Sequence, residues 1–263
     1  MPDFDSHPPG TFNWPELSTS DQQAGVAFYR ALFGWDVNEQ PVGPGMVYSM
    51  FQMRGRDVAA AAGQRPEERQ HHVPPHWNTY ITVANADDAV KRAQELGAKV
   101  LAPAFDVMDA GRMAVLQDPT GAVFNVWQSN RHVGAKILRE PGTLCWTELA
   151  TNDTETAKKF YTSLFGWTEK TSTGGGMTYT EFNVGGTPQG GMMAMNDHMK
   201  ANGVPPHWLP YFQVADVDAS AKKAAELGAQ QFVPPTDIPG TGRFAVIRDP
   251  QGAAFAIYKS LRG

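Results

Sequence analysis

Trp14-Pro15-Glu16-Leu17-Ser18-Thr19-Ser20-Asp21, running on to Phe28-Tyr29-Arg30-Ala31-Leu32-Phe33-Gly34-Trp35, is written twice in this chain. It returns as Trp146, Glu148, Leu149, Thr151, Asp153, Phe160, Tyr161, Leu164, Phe165, Gly166 and Trp167, with Trp146 lying 132 positions after Trp14. Further on the offset is 131: His76-Trp77 returns as His207-Trp208, and Asp118-Pro119 as Asp249-Pro250. The second copy has therefore lost one residue, expected in a loop between Asp36 and Met46. A repeat of this length is a duplicated domain. The copies occupy residues 10–129 and 142–260, with a linker over 130–141.

Within a copy, the hydrophobic period changes from two to about 3.6 and back. Trp14, Glu16 and Ser18 share one face of a strand that Pro15 restricts to an edge or a special junction. Asp21 caps a helix with Ala24, Ala27, Phe28, Ala31 and Leu32 along its apolar stripe, and Gly34 ends it. Strands are expected over 35–40, 46–53 and 58–62. After the polar crossover from Gln64 to Pro75 the same order recurs. It comprises a strand from Trp77, a helix capped by Asn85, and three strands, the last two joined by Asp118-Pro119-Thr120-Gly121. The second copy repeats the scheme, so the chain is α+β with four βαβββ modules.

Its 263 residues, 41% hydrophobic and 19% charged, allow two cores without disulfides or structural metal. A net charge of −5 argues against nucleic acid as a partner. Cys145 is the only cysteine and cannot form an internal disulfide. Residues 1–10 lack the pattern of a signal peptide, and no apolar run reaches membrane-spanning length. A cytoplasmic protein, monomeric or homodimeric and without a membrane partner, is expected. Gly43-Pro44-Gly45 and Gly174-Gly175-Gly176 precede strands rather than helices, so neither reads as a phosphate loop.

The Asp21…Phe28-Tyr29…Leu32-Phe33-Gly34-Trp35 block, Glu95-Leu96-Gly97-Ala98 and Asp118-Pro119-x-Gly121 occur in register twice. Together they resemble the vicinal oxygen chelate superfamily of glyoxalases, bleomycin-resistance proteins, fosfomycin-modifying enzymes and extradiol dioxygenases. They are more closely similar to two-domain glyoxalase-like proteins of actinomycetes. The resemblance implies paired modules whose sheets curl into cups, with a divalent metal and ligand inside many members. It places the metal ligands at Trp14, Asn78 and Asn125 in the first copy, and at Trp146, Leu209 and Ala256 in the second. Such ions take His nitrogen or carboxylate oxygen. Neither a metal nor another cofactor is expected.

By strand parity Trp14, Glu16, Asn78, Tyr80, Asn125 and Trp127 face the first cup. Trp146, Glu148, Tyr211 and Tyr258 face the second, and Trp77 and Trp208 complete the expected ligand contacts. Aromatic walls with few polar groups suit a planar, largely apolar molecule, but would equally fill a core. Glu16 and Glu148 are candidate acid/base residues with raised pKa, or carboxylates paired where the domains meet. His76 and His207 read as backbone-bonded closures of the crossover, or as acid/base groups. Arg112 and Arg243 read as ion-pair partners, or as anchors for an anion. The expected function is metal-free binding of a small aromatic or hydrophobic molecule, for resistance, sequestration or natural-product metabolism. The alternative is a lyase, isomerase or hydroxylase-type enzyme using Glu16 or Glu148. The first cup, with two asparagines, is expected to be the more polar and the better place for chemistry.

Overall fold

A computed structural model describes residues 3–174 and 177–261. Gly175 and Gly176, in the second glycine stretch, lie outside the described residues. The first half comprises β1 (Phe12–Thr19), α1 (Gln22–Phe33), β2 (Asp36–Gly43), β3 (Met46–Met53), β4 (Arg56–Gly63), α2 (Pro66–Gln70), β5 (His76–Thr82), α3 (Ala86–Glu95), β6 (Lys99–Val107), β7 (Gly111–Gln117) and β8 (Val123–Ser129). The second comprises β9 (Leu144–Thr151), α4 (Thr154–Phe165), β10 (Thr168–Gly174), β11 (Met177–Val184), β12 (Thr187–Ala194), α5 (Asp197–Ala201), β13 (His207–Gln213), α6 (Val217–Glu226), β14 (Gln230–Ile238), β15 (Gly242–Arg248) and β16 (Ala254–Ser260).

Each half is one curled eight-stranded sheet. The orders, β2-β3-β4-β1-β5-β8-β7-β6 and β10-β11-β12-β9-β13-β16-β15-β14, are the same permutation. The α+β reading with four βαβββ modules holds. Asp21 accepts from the Ala24 amide to cap α1, and Gly34 ends it in the left-handed region. Asp153 and Gly166 do the same for α4. Pro15 lies on a central strand, but its parallel pairing to β4 starts only at Glu16, so its missing N–H interrupts no ladder there.

Two details differ from the sequence reading. The residue lost from the second copy is not in a loop. In β2 the register steps between Pro41 and Gly43, leaving Val42 as a bulge, whereas β10 pairs with β11 without a step. The polar crossovers are also not wholly irregular: each contains a five-residue helix, α2 or α5.

The helix-bearing faces of the sheets pack on each other, and the modules cross over. One core joins Phe28, Tyr29, Trp35 and Trp77 of the first half to Phe212, Ala221, Ile247 and Phe255 of the second. The other joins Ile81, Ala93 and Phe124 to Phe160, Tyr161, Trp167 and Trp208. Polar atoms within these cores are matched across the join. The Trp77 indole donates to the Tyr29 hydroxyl (2.9 Å), which donates to Asp249 (3.0 Å). Trp208, Tyr161 and Asp118 repeat the relay at 2.8 and 2.8 Å. The other oxygen of Asp118 accepts the backbone amides of Thr120, Gly121 and Ala122, so one carboxylate both shapes its hairpin turn and latches the two halves. The two concave faces are left pointing away from this join.

Candidate functional site

On the first concave face, Trp14 and Glu16 of β1 stand beside Tyr80 and Asn78 of β5, their direct cross-strand partners. Asn125 of β8 lies beside Tyr80. The Trp14 indole donates to the Tyr48 hydroxyl (3.0 Å), which donates to Glu16 Oε2 (2.7 Å). Tyr80 (3.1 Å) and the Asn78 amide (3.3 Å) donate to Oε1. Burial pushes the Glu16 carboxyl above its ordinary range, while the Tyr48 and Tyr80 hydrogen bonds pull it down. Asn125 is buried, and its Oδ1 has no hydrogen-bond partner among the described residues.

This face is closed. Trp14, Tyr80, Trp127, Met50, Met113 and Val115 are all buried, packed with Ala135 of the inter-domain segment. That segment is a strap. The His132 ring meets Trp14 edge-on at 4.5 Å, and the His132 carbonyl accepts from the Trp127 indole (2.8 Å). Ala135 N–H donates to Asn13 O, and Lys136 N–H to Asp57 O. Gly134, with φ +108°, runs so close that a Cβ there would sit 2.7 Å from Asn13 O. His7 Nε2 meets Ala135 O at 2.8 Å and pins the strap from outside. At the other rim Glu68 of α2 is buried, accepting from Ser18 (3.1 Å) and the Arg65 amide (2.7 Å). Burial raises its pKa, but Arg65 and His76 outweigh that and hold it below the usual range.

The second concave face keeps the geometry and loses the cover. The Trp146 indole donates to Tyr179 (2.9 Å), and Tyr211 donates to Glu148 Oε1 (2.8 Å). Leu209 stands where Asn78 stands in the first half, beside Glu148, and Ala256 replaces Asn125. Burial raises the Glu148 pKa, opposed by hydrogen bonds from Tyr211 and Tyr179. Trp146, Phe244, Val246 and Tyr258 are partly exposed, whereas Trp14, Met113, Val115 and Trp127 are buried. The first cup holds Asn78 and Asn125 where the second holds Leu209 and Ala256, the second holds Glu181 where the first holds Met50, and the second is the more accessible.

Several expected site residues lie elsewhere. Trp77 and Trp208 are not cup residues. Each is one position out of phase with Asn78 or Leu209, so its ring enters the inter-domain cores and its N–H meets Tyr29 or Tyr161. His76 and His207 each place Nδ1 2.9 Å from a backbone carbonyl, Pro74 O and Pro205 O, closing the crossovers. Arg112 is bidentate to Asp87 and bonds Asp106; Arg243 repeats this with Asp218 and Asp237. Cys145 donates to Tyr211 O, and burial pushes its thiol up to about 12. Sequence reasoning missed Tyr48 and Tyr179, although they repeat at the downstream offset, and missed Glu68, Glu181 and the His132 strap.

The profile of the Glyoxalase/Bleomycin resistance protein/Dioxygenase superfamily matches residues 11–126 and 131–257. The chain belongs to this superfamily. It is 44% identical over 261 residues to the "Putative glyoxylase CFP32" of Mycobacterium tuberculosis (strain CDC 1551 / Oshkosh), covering 98% of both chains. It is 35% identical to the "Anthracycline biosynthesis protein DauV" of Streptomyces sp. (strain C5), covering 95% of this chain and 93% of that one. The Mn(II)-bound glyoxalase from Novosphingobium aromaticivorans shares the fold at 16% identity, with a TM-score of 0.64, covering 95% of this chain and 82% of that one. The superfamily's metal positions, read through the resemblance above, hold indole, amide and aliphatic groups here. The Trp14 N–H is spent on Tyr48 and the Asn78 amide on Glu16. Among the described residues no three His, Cys, Asp or Glu side chains converge on one point. This donor set does not fit a divalent ion.

Proposed function

We propose that this protein binds a small, largely aromatic molecule on a concave sheet face without a resident metal, in sequestration, resistance or natural-product metabolism. The observation that carries this reading is the second concave face, where Trp146, Phe244 and Tyr258 remain partly exposed around Glu148. Rings left open on a concave surface present flat apolar area with one polar anchor, the composition of a small-molecule site. The likeness to an anthracycline biosynthesis protein supports the natural-product context. Tryptophan quenching and thermal shift against planar polyketides test it. Saturable quenching with a raised melting temperature is the expected result, and no response across the set would refute it. Elemental analysis of purified protein for Mn, Fe, Ni and Zn tests the metal-free part; a stoichiometric ion would overturn it.

The second reading is proton-transfer catalysis of a lyase or isomerase type, favoured by the raised pKa of the half-buried Glu16 and Glu148 carboxyls. It requires that Glu16→Gln or Glu148→Gln abolish turnover of an identified substrate, and unchanged turnover in both would remove it.

A further inference from the structure

The carboxylates at the centres of the two cups are provided for unequally. Glu16 takes three side-chain donors and feels the positive charge of Arg65, opposed by the negative charge of Glu68. Among the described residues Glu148 has only the hydroxyls of Tyr211 and Tyr179, and no cation among them contributes to its environment. Two positively charged side chains border this face, and neither is paired with Glu148. Arg139, at the rim beside Cys145, donates to Pro188 O. Lys170 is exposed on edge strand β10, directly across from Glu181 on the same face and three strands from Glu148. A second carboxylate shares the row: Glu181 pairs with Gly191, which pairs with Glu148, so both acids flank a glycine on the concave side. The Tyr179 ring occupies the space over Gly191, where a Cβ would sit 2.0 Å from its hydroxyl. In the first half the Glu181 position is Met50, packed into the closed cup.

A half-buried carboxylate without a counter-charge, ringed by partly open Trp146, Tyr179, Phe244 and Tyr258, is complementary to one ligand chemistry. A positive charge is attracted both by the acid and by the negative faces of the rings. Resting on the small-molecule reading above, we infer that the second cup is the binding site and that its ligand is an organic cation: a protonated amine carried on a flat apolar body. The amine hydrogen-bonds Glu148 at the lone pairs left open by the replacement of Asn78 with Leu209, and the rings cover its apolar part. The first cup, strapped and with its acid hydrogen-bonded by three side chains, takes no part in this binding.

The test uses the full chain and two planar probes of similar shape, the cation 9-aminoacridine and uncharged acridone, followed by probe fluorescence and calorimetry at pH 7. The cation should bind at least about tenfold more tightly than acridone, and Glu148→Gln should remove that preference. Glu226→Gln on exposed α6 is the charge-matched control and should not change it. Loss of preference with Glu16→Gln but not Glu148→Gln would move the site to the first cup and overturn the inference. Equal binding of both probes overturns the cationic class while leaving the small-molecule reading intact, and no saturable binding of either overturns both. Should Glu148→Gln fail to fold, wild-type calorimetry in two buffers of different ionisation heat reads the same contact. Net proton release on binding the cation, growing as the pH is lowered from 7 toward the ordinary carboxyl value of 4.5, supports it, and none anywhere in that range contradicts it.

Discussion

The convex and concave sides of this molecule differ in how closely the two copies match. On the convex side the copies are nearly interchangeable: Trp77–Tyr29–Asp249 and Trp208–Tyr161–Asp118 make the same two hydrogen bonds within about 0.2 Å. Trp35 and Trp167 likewise each donate to a glycine carbonyl of the other half, Gly142 O (2.8 Å) and Gly10 O (2.7 Å). On the concave side Asn78 faces Leu209 in the alignment, Asn125 faces Ala256, Trp127 faces Tyr258 and Met50 faces Glu181. Reciprocal packing explains the contrast. A residue whose partner lies in the other copy is constrained twice, because its own counterpart makes the mirror contact. A cup residue answers only to its own cup.

The sharpest way to break this comparison is to truncate one indole on each side. Trp77→Ala should cost about 3–5 kcal/mol, because it empties a filled core and orphans Tyr29. Trp146→Ala removes a partly exposed ring and should cost clearly less. Urea denaturation of both variants reads the difference, and equal losses would show that the concave face is as much a core as the convex one. Next in size, Tyr29→Phe leaves the Trp77 N–H and one Asp249 oxygen unpaired in a dry interface, a loss of about 1–3 kcal/mol. Tyr161→Phe should match it. A large gap between the two would mean that the relays are not equivalent.

The legibility of the sequence follows the same division. Phe28-Tyr29, Phe33-Gly34-Trp35 and Asp-Pro-x-Gly were conspicuous because they repeat, and they repeat because they hold the halves together. They revealed the fold through an interface that the sequence did not announce as one. Trp77, expected among the ligand contacts of the cup, recurs for the same reason, and strand parity with Asn78 places it on the other face. Glu16 and Glu148 were found because a carboxylate in an aromatic strand is costly. The strap was not, since nothing in Asn130–Pro141 tells a linker that crosses a cup from one that crosses solvent. Its contacts are two backbone bonds, Ala135 to Asn13 and Lys136 to Asp57, together with the His132 ring on Trp14 and the indole of Trp127 on the His132 carbonyl, and none of these is marked by a repeated motif.

The two acids offer a finer contrast, in pH. Both have folded-state pKa values raised by burial above the ordinary 4.5. Between the ordinary and the raised value the folded protein holds more protons than the unfolded chain, so each group's contribution falls as pH rises through that window. Glu16→Gln and Glu148→Gln should therefore each be more stable than wild type at pH 7, with the advantage shrinking toward pH 4. Denaturation midpoints at pH 4, 5.5 and 7 check this. The Glu16 variant should gain less, because the Gln side chain disturbs three donors there and only two at Glu148. A gain that grows on acidification would reverse the sign and show that the carboxylates are stabilised as anions.

The smallest effect concerns the one residue by which the copies differ in length. Val42 is exposed, and it bulges out of a β2–β3 ladder that β10–β11 closes without it. Deleting Val42 should convert the first hairpin to the register of the second. Pro41, which lacks an N–H, would then have to occupy a position next to the turn on an edge strand, where proline is tolerated. A bulge at a sheet edge whose extra residue buries nothing contributes little to the core. The deletion should therefore shift the melting temperature by no more than about 2–4 °C, the equivalent of roughly 1 kcal/mol in a chain of this size. A larger loss would mean that the bulge twists the edge strand in a way the first, closed cup requires and the second, open cup does not. The difference between the two cups would then begin at β2, with the strap as its consequence.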